Sequence, residues 1–184
     1  MCIRDRVDPL APSPSQFDHV IANIPPSAAA AESIWLDAGS GVAPFRYLIP
    51  NLRGKKALVI SAAGNASLAQ TPKSPPFLST QEVTVEGRSS DLGKLTAKIH
   101  YRLRGDNEFA FRSALRRAPE SQWKQIGQTV AVLDGFHGEV SKVEAKDVSS
   151  TEKPLELTLN YTQKAFLDWT APSSKIPIPL PRCV

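Results

Sequence analysis

The sequence predicts an α+β protein in two parts: short strands bounded by proline and glycine, then a small β-sheet domain with two inserted helices, in the order β-β-α-α-β-β. Three observations lead there. Leu95, Ala97, Ile99, Tyr101 and Leu103 alternate with Thr96, Lys98, His100, Arg102 and Arg104, and Leu155 to Tyr161 (LELTLNY) alternates as cleanly, the period of a half-buried strand. Between them Phe111, Ala114, Leu115 and Ala118, then Trp123, Ile126 and Val130, recur at helical spacing. Ahead of both, every apolar run is short and stops at Pro or Gly.

Taken in order, Val7 to Gln16 is rich in Pro and Ser and reads as a loop. Phe17 to Ile24 (FDHVIANI) ends at Pro25-Pro26 and reads as a strand. Ile34 to Asp37 (IWLD), stopped by Ala38-Gly39-Ser40-Gly41, pairs with it as an antiparallel hairpin. Lys56 to Ser61 (KALVIS) reads as a third strand, buried on both faces. Thr71 to Pro76 (TPKSPP) reads as a domain boundary, which places one domain at 7–75 and a β-rich α+β domain at 76–171. In the second domain Gln81 to Glu86 alternates. Asp106 caps a helix to about Ala118, and Pro119 opens a second helix. Glu139 to Ala145 returns to strand. Residues 172–184 read as a proline-rich extended tail.

Bulk composition excludes several classes. Hydrophobic residues at 41% with 22% charged residues fit a globular domain and not a low-complexity chain. The formal charge of +4 is spread among acidic residues, with no basic run interleaved with aromatics, so no nucleic-acid partner is expected. No apolar run approaches the ~20 residues that span a bilayer, and no signal-peptide pattern is present. The two cysteines, Cys2 and Cys183, form no Cys-x-x-Cys pair, so no structural zinc and no cofactor is expected. Gly39-Ser40-Gly41 lacks the dinucleotide fingerprint, and there is no Walker loop, nucleophile elbow or metalloprotease His pair.

The opening Met1-Cys2-Ile3-Arg4-Asp5-Arg6 resembles the translation of a transposase-type sequencing adapter. The native sequence is then expected to begin near Val7, and the reading frame to have been cut upstream. Cys2 is not a candidate nucleophile on this reading, and the charge falls by one unit.

The stretch from Phe17 to Pro50 resembles the distal part of the bacterial transglutaminase-like core. FDHVIANI supplies His19, and IWLDAGSGVAPFRYLIP supplies Asp37. The latter is similar to a pattern reading WLDTTAEVAPFGYLLP in proteins where this core sits between β-rich domains of unknown function. LRGKKALVI, PPF, RGDNEFAFRSALRRAPESQWK and KPLELTLNYTQKAFLDW continue the likeness, which covers most of the chain from Pro12 to Pro181. Two departures stand out: Ala38-Gly39 replaces small hydroxyl residues after the Asp, and the Cys-bearing segment is missing.

The resemblance implies a Cys-His-Asp triad acting on protein or peptide amides. A thiol ionises weakly at neutral pH unless a helix N-terminus and an imidazolium stabilise the thiolate. His19 takes the thiol proton and later protonates the leaving amine; Asp37 fixes the ring's tautomer and orientation. The expectation is a truncated piece of a cysteine enzyme, inactive alone, whose parent hydrolyses or transfers acyl groups. By the same resemblance the parent is a periplasmic, envelope-associated or secreted bacterial protein.

The competing expectation is a non-catalytic β-rich binding or scaffold module, since a His on an apolar strand is most often a packed core residue. Trp35 and Phe45 are read as core, Asp18 as a solvent-facing neighbour, His100 as polar-face, His137 as a loop residue and Cys183 as unreactive.

Overall fold

The structure, a computed structural model, describes residues 8, 13, 16, 17, 19–28, 31–168, 170 and 173. It is an α+β chain with three antiparallel sheets and two α-helices among those residues. Two compact units, Met1–Leu78 and Ser79–Val184, divide it. Of the expected tail, only Ser173 is described; Cys2, Asp18 and Cys183 lie outside the described residues.

In the first unit β1 (Ala22–Ile24) pairs antiparallel with β2 (Ile34–Leu36), setting Asn23 opposite Trp35. Both strands are shorter than their apolar runs. Pro25 has no N–H to extend β1 at one end. At the other, the Asp37 carboxylate takes the Gly39 N–H at 2.9 Å, and this turn diverts the partner strand, so residues 19–21 meet no ladder. A second hairpin, β3 (Lys56–Ile60) and β4 (Ala66–Gln70), follows; β4 carried no strand signal. KALVIS was expected to be buried on both faces. It forms half of a two-stranded sheet instead, so Ala57 is buried while Ile60 is exposed.

The core of this unit is Trp35, Leu48, Leu52 and Ala57, flanked by Ile21, Ile49, Val59 and Ala69. Phe45 was expected there and is 67% exposed. The chain turns at this point, with the Tyr47 N–H on the Pro44 carbonyl, which leaves Phe45 at the tip and sends Tyr47 inward. Tyr47 stacks on Phe77, and the Arg53 guanidinium lies 4.8 Å above its ring. The buried Thr71 hydroxyl donates to the Leu52 carbonyl and accepts the Lys55 N–H, fastening the start of β3.

The second unit is one four-stranded antiparallel sheet with two helices on one face. β5 (Thr80–Ser89), β6 (Leu95–Arg104), α1 (Asp106–Arg117), α2 (Trp123–Leu133), β7 (Glu139–Lys146) and β8 (Leu155–Gln163) follow in that order. The sheet order is β5-β6-β8-β7. The alternation read from the sequence places Ala97, Ile99, Tyr101 and Leu103 with Leu155, Leu157, Leu159 and Tyr161 on the helix-covered face. Two helix starts differ from expectation. Gly105, at φ 82°, occupies the cap position of α1, and the Ser79 hydroxyl accepts the Asp106 N–H. Pro119 precedes a 3-10 turn, Glu120–Gln122, and α2 begins only at Trp123. There the indole N–H donates to the Leu115 carbonyl at 3.0 Å, tying the two helices.

At the start of α1, Glu108 and Arg112 are both buried. Arg112 Nε donates to Glu108 Oε1 at 3.0 Å. Its terminal nitrogens donate to the carbonyls of Asp147, Val148 and Lys153, all in the β7–β8 connection. Arg104 closes the network on Glu108 and the Thr151 carbonyl. No separate strand or helix supports that connection. Arg112 and Arg104 between them donate to four of its carbonyls, as buried backbone requires.

Gly127 lets α2 lie close on the sheet. A Cβ there would stand 2.4 Å from Val143 Cγ2 and 3.0 Å from Leu159 Cδ2. In an open helix Gly→Ala gains about 1 kcal/mol. Here overpacking of ~1–3 kcal/mol opposes it. Gly127→Ala is therefore expected to lower the urea midpoint, and adding Val143→Ala to recover part of the loss. A raised midpoint in the single variant would show that the helix has room to lift.

Tyr101 gives an alkaline limit. Burial, and after it the nearby Asp134 carboxylate, push its phenol far above the usual tyrosine range. Asp134 lies close enough to oppose ionisation, but no acceptor is aligned with the buried hydroxyl. The folded state thus holds the proton that the unfolded chain releases near pH ~10. The stability this contributes is complete below that pH and is lost as pH rises above it. Tyr101→Phe is expected to flatten the fall in Tm above pH ~10 and to leave neutral-pH stability equal or higher, since an unpaired buried hydroxyl is removed. A variant with the same alkaline slope would remove Tyr101 from the account.

Candidate active site

The two residues singled out in the sequence do come together. His19 lies on the extended segment leading into β1, and Asp37 immediately follows β2. Continued outward, the β1–β2 register would set His19 opposite Gly39 and Asp37 opposite Ile21, so the pair is a diagonal one across the open end of the hairpin. His19 Nε2 is 3.1 Å from Asp37 Oδ1.

Burial is unequal within the pair. The Asp37 side chain is 2% exposed and that of His19 is 33% exposed. Asp37 follows Trp35 by two residues on extended chain, so both side chains point to the same side, and Trp35 is held in the core. Oδ1 is the oxygen that also accepts the Gly39 N–H, so the turn fixes the carboxylate from the backbone side. The ring faces it at contact distance, but the Nε2–H is off the line to the oxygen. The contact is a close approach, with Nε2 buried and without an aligned hydrogen bond among the described residues. A small rotation of the imidazole would align it, as catalytic bonds often tighten only with substrate bound.

Asn23 Nδ2 and Ser40 Oγ are also buried without a partner. Together with Nε2, these unsatisfied atoms all belong to the hairpin or to the turn after Asp37. Buried polar groups are normally paired; of the four unpaired ones among the described residues, three lie here and the fourth is the Tyr101 hydroxyl of the second unit. A Cβ at Gly39 would sit 3.2 Å from Asp37 Oδ1 and 3.8 Å from His19 Cε1, so a side chain at this position would crowd the pair.

No protein-family profile, curated protein or solved structure matches this chain. The site therefore rests on its own geometry. With Nε2 turned to Asp37, Nδ1 is the nitrogen left to accept a proton, on a ring one-third open to solvent.

The other two histidines belong to the second unit. His100 is on the polar sheet face with Nδ1 3.1 Å from Thr158 Oγ1, and His137 is an exposed residue of the α2–β7 loop. Among the described residues no three His, Cys, Asp or Glu side chains converge as metal ligands. None of their helices is long and apolar enough to cross a membrane. Two supporting features were missed at the sequence level. The Gly39 N–H was legible, because Asp-x-Gly is an Asx-turn signal. The Tyr47–Phe77–Arg53 stack was not, because nothing local links residues so far apart.

Proposed function

We propose that this chain carries the histidine and aspartate of a transglutaminase-like cysteine centre, with the nucleophile supplied by sequence preceding Val7. The observation that carries the reading is the buried, backbone-fixed Asp37 facing His19 Nε2 at 3.1 Å. That is the arrangement in which a carboxylate sets one ring nitrogen and leaves the other to a thiol.

The chemistry follows from those roles. His19 Nδ1 accepts the thiol proton as sulfur attacks an amide carbonyl carbon. The C–N bond then breaks, and the same proton passes to the departing amine, leaving a thioester. Water gives hydrolysis and a second amine gives transfer; in either case His19 takes the incoming proton and returns it to the thiolate. Protein or peptide amides are the substrate class, and no metal or organic cofactor enters.

The test is to sequence across the Arg6–Val7 junction in the source DNA and express the chain with its native upstream coding sequence. The expected result is a Cys at a helix start and cysteine-dependent turnover of a glutamine peptide, by ammonia release or by incorporation of a fluorescent amine. A native junction with no such Cys would leave His19 and Asp37 as a structural pair and favour a non-catalytic binding module. The second unit gives that alternative its footing, because two of its buried charges, Glu108 and Arg112, are consumed in holding a loop.

A further inference from the structure

We infer that this protein self-associates through β5, two copies joining edge to edge across a two-fold axis at Val85 to make one continuous sheet. The inference does not depend on the reading of His19 and Asp37. It begins from the difference between the two edges of the four-stranded sheet. A free edge is a template for another strand, and proteins normally blunt it with bulges, lysines or prolines. β7 follows that rule: its ladder is broken by a bulge between Val140 and Lys142, and Lys142, Glu144 and Lys146 line its outer side.

β5 is not blunted. It runs Thr80–Ser89 in unbroken register with β6 and contains no Pro, no Lys and no bulge. Its principal neighbour is β6, while α1 packs on β6 and α2 on β7. Thr84 to Ser89 are all exposed, and Val85, on the apolar face, is 45% exposed.

The strand's sequence fits a second copy of itself. In an antiparallel pair related by a two-fold axis normal to the sheet, centring on Val85 sets Glu82 opposite Arg88 of the other copy, twice. It also sets Val85 on Val85, Val83 on Gly87 and Gln81 on Ser89. Centring on Thr84 instead would face Glu82 with Glu86, and centring on Glu86 would face that residue with itself. Centring on Gly87 would also join opposite charges, Glu86 with Arg88, but would overlap only Val85 to Ser89; the Val85 register overlaps Gln81 to Ser89, joins Glu82 with Arg88 and covers the exposed valine. Its unfavourable features are the diagonal approaches of Glu86 to Glu86 and to Glu82 of the other copy. Glu82 already contacts Arg102 of β6 at 3.4 Å, so pairing builds a chain of alternating charge from Arg102 through Glu82 to Arg88 of the other copy. A single-strand contact lies at the small end of specific interfaces, so dissociation is expected on the order of 10 μM.

The experiment is sedimentation velocity on the full chain across a concentration series spanning ~1–200 μM, with single and paired charge reversals. Wild type is expected to pass from monomer to dimer. Glu82→Arg and Arg88→Glu each turn both cross-copy pairs into like-charge contacts, and each is expected to weaken the dimer about tenfold or more. Two rescues are expected: the double variant restores dimer formation, and a 1:1 mixture of the two single variants forms a mixed dimer. Val85→Lys, at the exposed axis position, keeps the fold by circular dichroism and loses the dimer. A wild type that stays monomeric throughout overturns the inference. So does a dimer indifferent to these substitutions, which would place the contact on another surface.

Discussion

On the proposed function, and in a chain extended by a segment that supplies the cysteine, His19→Ala is expected to lower kcat by about 10⁵-fold or more, with KM little changed. Removing the base of a nucleophile–base pair forfeits the covalent route almost entirely. Asp37→Asn is expected to cost less, about 10³–10⁴-fold, because the amide keeps the shape while favouring the wrong tautomer. Asp37 touches no reacting atom, so its role needs a readout that a purely structural part would not move. Nitrogen NMR of the His19 ring supplies one. Wherever the ring is neutral, the expected wild-type spectrum shows a single tautomer with the proton on Nε2, and Asp37→Asn is expected to give mixed tautomers. Activity within tenfold of wild type in His19→Ala would end the catalytic reading, however well the pair is formed.

Arg112→Met is expected to destabilise the second unit by about 3–5 kcal/mol, a large share of the 5–15 kcal/mol that holds a typical domain. The loss has two parts. Glu108, fully buried, keeps only Arg104 as a charged partner. The carbonyls of Asp147, Val148 and Lys153 lose the donors that hold the β7–β8 connection. Urea unfolding followed by Trp123 fluorescence, with Trp35 and Trp169 replaced by Phe in both parent and variant, reads the change. Adding Glu108→Leu is expected to recover the carboxylate's share and not the loop's. Full recovery in that double variant would mean that the connection finds its own hydrogen bonds to water. A loss below about 1 kcal/mol in the single variant would mean that the network contributes little.

The second unit was the more legible half because its signals are periodic and its elements long. Leu95 to Arg104 and Leu155 to Tyr161 each show one face of a sheet, and a helix cannot satisfy that alternation. The first unit has strands as short as Ala22–Ile24 and Ile34–Leu36, where neither period develops. Their ends are decided by one Pro and one Asx turn; the Pro marked the end of β1 correctly, and the apolar run overshot only the Asx-turn end. Arg112 shows a different failure. On helical spacing it reads as one more surface arginine, and only the returning β7–β8 connection, some 35 residues on, makes it a core residue. At the site, residue types pointed to His19 and Asp37 while the path of the chain did not. Both sit just beyond the ladder that was expected to contain them, and a turn completes what the strand does not.

The short β1–β2 ladder also makes the site self-reporting. So few strand pairs hold little by themselves, and Asp37 keeps its place because Trp35, two residues earlier, is seated among Leu48, Leu52 and Ala57. An indole thus serves as the anchor of the carboxylate. Whatever loosens that seat changes the emission of Trp35 and the aim of His19 in the same motion, so with Trp123 and Trp169 replaced by Phe the integrity of the pair can be followed by light without any substrate.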